Sequence, residues 1–185
     1  MKEAIHFKFD VTLTDKDYLD LNLFVALKSH YGKGQMRKLR VLFAVFICVA
    51  ALLSLIGGGF SPEAFLFLIP YAVLLIVFEA LLVPFFALSI KGNIKALKKQ
   101  GKMAFHPVSA IEFFDESITE TTPEHTTKLT YSALERISEV DGNVIYLHLN
   151  SLAAYILPRT VFESDSQYKD FLAFIKTKCA NFDTY

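Results

Sequence analysis

Polar and apolar positions change their rhythm several times along this chain. From Ile5 to Leu13 they alternate: Ile5, Phe7, Phe9, Val11 and Leu13 are apolar, and His6, Lys8, Asp10 and Thr12 lie between them. Period two marks a half-buried strand. Thr14-Asp15-Lys16-Asp17 then reads as a helix start with Thr14 as the cap. The helix is predicted to run to about Tyr31, with Tyr18, Leu21, Phe24, Val25 and Leu27 on one broad side. Gly32 and Gly34 are predicted to break it.

The next regime has no polar rhythm. Val41 to Phe60 carries no charge, and Phe65 to Ile90 carries only Glu79. At 1.5 Å per residue, about twenty residues cross a hydrocarbon core of ~30 Å. Apolar residues cover every face of both segments, unlike the single stripe of a soluble-protein helix. Between them Gly57-Gly58-Gly59-Phe60-Ser61-Pro62-Glu63 is turn chemistry. The expected arrangement is a transmembrane α-helical hairpin with spans at 41–60 and 65–90 and an external loop at 61–64.

After Ile90 the short periods return. Strands are predicted at Ser109–Phe114, Ser117–Thr122, Thr126–Tyr131, Ile137–Val140, Val144–Leu149 and Ala154–Leu157. Asp141-Gly142-Asn143 is a hairpin signal. A last helix is expected from about Ser164, where Ser164 and Gln167 have capping-box spacing. Its apolar stripe is Tyr168, Phe171, Leu172 and Ile175. The predicted fold class is therefore a membrane hairpin inserted into an α+β cytoplasmic domain, a small bent sheet or barrel closed by the C-terminal helix. Residues 1–40 hold the first strand and helix. Residues 91–185 hold the rest, and the strand at 5–13 is expected to join them, because a lone strand leaves its edges unsatisfied.

Charge placement orients the hairpin. Lys28, Lys33, Arg37, Lys38 and Arg40 precede the first span, and Lys91, Lys95, Lys98, Lys99 and Lys102 follow the second. The loop between has no Lys or Arg. Basic flanks stay on the cytoplasmic side, which puts both termini inside a multi-pass protein of the inner or plasma membrane. These flanks can also lean on anionic head groups of the lipid bilayer. Overall the formal net charge is +0, so no global field points to nucleic acid.

Chemistry is sparse. Glu79 is the one charged residue within the spans, where an isolated carboxylate is costly. It is expected either to hydrogen-bond, with Ser54 as a candidate partner, or to serve a proton- or ion-handling site. Pro70 and Pro84 flank it and are expected to kink the helix. Cys48 and Cys179 are the only cysteines and form no disulfide framework. His6, His30, His106, His125 and His148 show no zinc spacing, and no nucleotide-binding loop or nucleophile elbow is present. No catalytic, metal or cofactor site is expected, and the chain does not read as an enzyme.

Several short segments recur in a familiar order: Phe113-Phe114-Asp115-Glu116-Ser117-Ile118, Leu129-Thr130-Tyr131-Ser132, Ile137-Ser138-Glu139, Val144-Ile145-Tyr146-Leu147, and Ile156-Leu157-Pro158-Arg159 before Phe162. With the N-terminal strand and the two spans, they resemble the YcxB-like bacterial membrane proteins. The resemblance implies a C-terminal domain of pleckstrin-homology (PH-like) type and a membrane location, and no established activity. Two departures stand out: the chain has no Trp, which the family usually carries near Tyr131 to Leu134, and Arg159 follows Pro158 where Lys is frequent. The functional expectation is a membrane-tethered interaction or scaffold protein with a protein partner and self-association into a homo-oligomer. The alternative is an accessory subunit of a transporter or channel with Glu79 at an intramembrane polar site.

Overall fold

The computed structural model describes residues 4–59, 62–100, 106–150 and 153–185. Phe60, Ser61 and Lys102, which the turn and flank readings used, lie outside them. The chain divides into two compact units, Met1–Asn22 with Leu97–Tyr185, and Leu23–Ala96. The second is therefore an insertion between two parts of the first.

The sheet-rich unit begins with β1 (Phe7–Thr12), which pairs antiparallel with β2 (Val108–Phe113), so that Phe9 stands opposite Ile111 and Val11 opposite Ser109. β3 (Ser117–Thr121) and β4 (Thr126–Thr130) continue the meander, giving the order β1-β2-β3-β4. A second sheet has the order β7-β6-β5-β8, from β5 (Arg136–Val140), β6 (Val144–His148), β7 (Ala154–Pro158) and β8 (Phe182–Thr184). The two sheets are separate. They do not close into the barrel that was one form of the expectation. β8, with only three residues, was not foreseen. It pairs parallel with β5, Ile137 opposite Phe182, and its role is visible only once β5 supplies the template.

Local chemistry explains the element ends. α1 (Asp15–Leu23) starts with Thr14 as cap: the Asp17 amide donates to Thr14 Oγ1 at 3.3 Å, and Asp17 Oδ2 accepts from the Thr14 amide at 2.8 Å. The β5–β6 turn spans Asp141, Gly142 and Asn143 and takes Asp141 and Gly142 to φ 52 and 65, in the left-handed region. α4 (Asp165–Lys176) is capped by Ser164, whose Oγ accepts from the Gln167 amide at 3.2 Å. Tyr168, Phe171 and Ile175 of α4 are buried with Phe9, Ile111, Phe113 and Ile118 of one sheet and Ile137, Ile145, Leu147 and Leu157 of the other. One core thus joins both sheets and the helix. Rings concentrate there: Phe171 meets Phe9 edge-on at 5.1 Å and Phe113 at 4.8 Å.

The inserted unit contains a π-helical turn (Phe24–Lys28), α2 (His30–Gly57), a 3-10 turn (Pro62–Phe67) and α3 (Leu68–Lys99). The helix break falls at Ser29, not at Gly32 and Gly34. Ser29 turns extended at ψ 156, its Oγ accepts from the Gly32 amide at 3.0 Å and donates to the Val25 carbonyl at 2.7 Å. Gly32 serves packing: a Cβ there would run into the carbonyl oxygens of Val25 and Ala26. Pro70 sits in the first turn of α3, where Pro is well tolerated. Pro84 alone lies inside it.

The face of the second sheet turned from the core is largely buried too, and it carries polar groups beside Val140 and Ile156. Arg136, Ser138, Tyr146 and His148 share it by register. His148 is fully buried, and burial first, then the charge of Arg136, lowers its pKa to about 4. A proton therefore binds the unfolded chain more readily than the folded one. Stability is retained above pH 6.5 and falls as the pH drops from there to about 4, by about 3 kcal/mol in all. Denaturant midpoints of the detergent-solubilised chain at pH 7.5 and 4.5 measure this. His148→Gln should remove most of the acid loss, and an identical loss in the variant would exclude His148 as its source.

Candidate functional site

Glu79 is placed by α3 and faces α2. Its Oε2 lies 3.0 Å from Arg40 Nε, an ion pair between the two helices. Ser54 is not its partner. Ser54 Oγ shares a hydrogen bond of 2.6 Å with the Tyr71 hydroxyl. Between these polar clasps Phe43 and Phe78 stack with centroids 3.7 Å apart. Pairing 40 with 79, 43 with 78 and 54 with 71 fixes an antiparallel register. Ser54 misses Glu79 because the register puts it a full two turns away, near the Gly-rich end.

The register offsets the two apolar blocks. On α2 the apolar run starts at Val41, next to Arg40. On α3 it continues past Glu79 to Ile90. Leu81, Phe85 and Leu88 remain exposed there, at 58, 67 and 70 %. Glu79 is thus central in its own apolar run yet level with the basic flank of the other helix. An apolar hollow of about 340 Å³ lies beside the clasp, lined by Phe43, Leu74, Val77, Phe78, Leu82 and Phe85 among others.

The basic flanks occupy the polar extensions of these helices. Lys33, Arg37, Lys38 and Arg40 are exposed on α2, and Lys91, Lys95, Lys98 and Lys99 are exposed on α3. Arg40 is committed to Glu79, and Lys98 pairs with Asp15.

Pro158 ends β7 opposite Val144, and Arg159 follows. The Arg159 amide donates to the Asn143 carbonyl at 2.7 Å, and its guanidinium pairs with Asp165 and lies 3.9 Å over the Tyr168 ring. Tyr168 in turn donates to Glu139 Oε1 at 3.1 Å, and Glu139 accepts from the Gly142 amide at 2.9 Å. Burial, then Glu139, pushes the Tyr168 hydroxyl up to about 12, so it stays a donor. The Pro-Arg motif therefore locks the β5–β6 turn to α4. Among the described residues no group of three or more His, Cys, Asp or Glu side chains is placed to share a metal ion.

Sequence reading missed Arg40 as an ion-pair partner and Tyr71 altogether. The signal was available for the first: a hairpin folded at Gly59 reflects position 40 onto the stretch beside Glu79, and the charges are opposite. Tyr71 carried no such mark.

Residues 113–175 match a family model described as YcxB-like protein. The matched stretch holds β3 to β7 and nearly all of α4. No curated protein and no solved structure matches the chain.

The clasp makes a quantitative prediction. Arg40→Gln and Glu79→Gln should each lower the unfolding temperature of the solubilised chain, and the double variant should lose less than the sum. The coupling should be about 0.5–3 kcal/mol. Strictly additive single losses would remove the ion pair from the account.

Proposed function

We propose that this chain, with its YcxB-like segment at 113–175, is a membrane-tethered cytoplasmic interaction or scaffold protein: a two-span hairpin that holds the sheet-rich unit at the bilayer. The observation that carries the reading is the state of α2 and α3. Both are long and apolar enough to cross a membrane, at 28 and 35 residues including the turn before α3, yet only 6 % of each apolar window is buried. A core helix of a soluble protein would be mostly buried. A cleaved leader is disfavoured too, since β1, which precedes α2, is a paired strand of the sheet-rich unit.

Orientation rests on the flanks. The basic extensions of α2 and α3 favour the cytoplasmic side for both termini, with Gly57 to Glu63 outside. The apolar run of α3, about 26 residues, exceeds a ~30 Å core and calls for tilt. Tilt draws the Arg40–Glu79 pair into the inner leaflet, and pairing makes that immersion tolerable where a lone carboxylate would be costly.

For the sheet-rich unit we favour protein binding. Two sheets and a C-terminal helix around one core are in keeping with a PH-like domain, a fold that suits peptide docking by strand addition or against a helix. This step is analogy from fold. The residues of the Pro158-Arg159 motif serve packing rather than chemistry, which supports a scaffold over an enzyme. The pairing of Glu79 with Arg40 weighs against the transporter-subunit reading, because the carboxylate is already engaged.

Photo-crosslinking in intact cells tests the reading. A crosslinking residue at exposed Lys169 or Ser166 of α4 should give a discrete adduct with one protein, unchanged by Glu79→Gln. Lipid adducts alone from every exposed position of the unit, or loss of ion or proton flux on Glu79→Gln, would overturn it.

A further inference from the structure

A cavity of about 370 Å³ opens in the sheet-rich unit beside the edge strand β7. Val11, Leu13, Leu21, Ile111 and Ile156 give it apolar walls. Its polar groups are Glu120, Glu124, His106, His125, Tyr18 and Tyr155, with the hydroxyls of Ser109 and Thr122. Its volume is in the range of small-ligand sites, which run from about 300 Å³ upward.

The position of Glu120 is the unusual feature. It stands two residues after Ile118 on β3, so the two share a face of the sheet. That face is the core: Ile118 is fully buried, and Ile111, directly opposite Glu120, is 2 % exposed. A carboxylate has thus been placed where the strand pattern calls for an apolar residue. Tyr155 reaches it from the other sheet. Tyr155 stands opposite fully buried Leu147, so it too faces inward, and its hydroxyl feels the charge of Glu120. Burial, then Glu120, pushes the Tyr155 hydroxyl up to about 12, so it stays protonated beside the carboxylate.

Glu124 adds a second carboxylate at the exposed rim. No Lys or Arg is among the described lining residues. His125 is turned to local bonding, with Nδ1 3.2 Å from Thr122 Oγ1, and His106 Nδ1 lies 3.0 Å from the Val108 carbonyl. An inward carboxylate above apolar walls is complementary to a cation that carries its own apolar body.

We propose that this cavity binds an organic cation, an ammonium or guanidinium head on a short apolar stem, with Glu120 as the counter-charge, Tyr155 as its positioning residue and Glu124 as a rim contribution. The stem packs on Leu13 and Leu149, the half-buried apolar residues of the lining, while the head meets Glu120. A free alkylamine and the lysine side chain of a peptide present the same chemistry. The site does not depend on the hairpin crossing a membrane. If the source is a peptide, it supplies the contact that the scaffold reading needs.

Calorimetric titration of the full chain in an uncharged maltoside detergent tests this. n-Pentylammonium should bind saturably, and pentan-1-ol and pentanoate should bind at least about tenfold more weakly. Glu120→Gln should weaken pentylammonium about tenfold, and Glu124→Gln less. Ala153→Phe, at an exposed lining position, should block the cavity and keeps the test open if Glu120→Gln fails to fold. Saturable binding of N-acetyl-lysine methylamide as well assigns the site to a peptide, and binding of pentylammonium alone assigns it to a free amine. No saturable binding by either cation, equal binding of pentanoate, or unchanged binding by folded Glu120→Gln would overturn the proposal.

Discussion

Apolar surface that none of the described residues covers is the constraint from which the architecture follows. Leu42, Ile76 and Leu88 are 68, 69 and 70 % exposed, the most open of many exposed apolar side chains on α2 and α3. Burying one such side chain is worth about 1.5–3 kcal/mol, so water around two full helices of them would cost far more than a domain's net stability. A nonpolar solvent answers that demand, and helices can enter it because their amides and carbonyls are satisfied internally. The inserted position of the hairpin follows as well. β1 and β2 pair with each other, so the chain must leave the sheet-rich unit after β1 and return before β2.

Specific contacts join the two helices of the hairpin. A ring stack, a hydroxyl pair and an ion pair each span α2 and α3. Hydrogen bonds and ion pairs gain weight where water cannot compete, although measured gains in membranes average about 0.6 kcal/mol. The ion pair has a second consequence. It ties the middle of one apolar run to the border of the other, so the hairpin cannot place both ends of both runs at the same depth. The apolar run of α3 therefore extends past Glu79 through exposed Leu81, Phe85 and Leu88, beside the basic extension of α2.

Much of the sheet-rich unit was legible because its signals are local. Alternation at 5–13 marked β1, and Asp141-Gly142 marked the one turn that takes consecutive left-handed residues. Thr14 and Ser164 marked helix starts that the structure caps with those same side chains. What could not be read is non-local. β8 has three residues, and its pairing depends on β5, more than forty positions earlier. The separation into two sheets depends on which strands pair, not on how many there are. Gly32 looked like a breaker because composition does not reveal that a neighbouring turn needs its missing Cβ. Glu79 was legible as an anomaly, but its partner was not, since helix register decides between Ser54 and Arg40. Glu120 was hidden within an ordinary-looking strand: its meaning appears only when Ile118 is seen to face the core.

The most direct measurement uses a residue the chain already carries. Cys48 lies on α2 within the apolar run and is exposed in the protein itself. In inverted membrane vesicles carrying the Cys179→Ser variant, a water-soluble charged maleimide should leave Cys48 unmodified until detergent is added, because lipid covers it. Rapid modification in intact vesicles would mean that water reaches the middle of α2, and the helices would need some other cover.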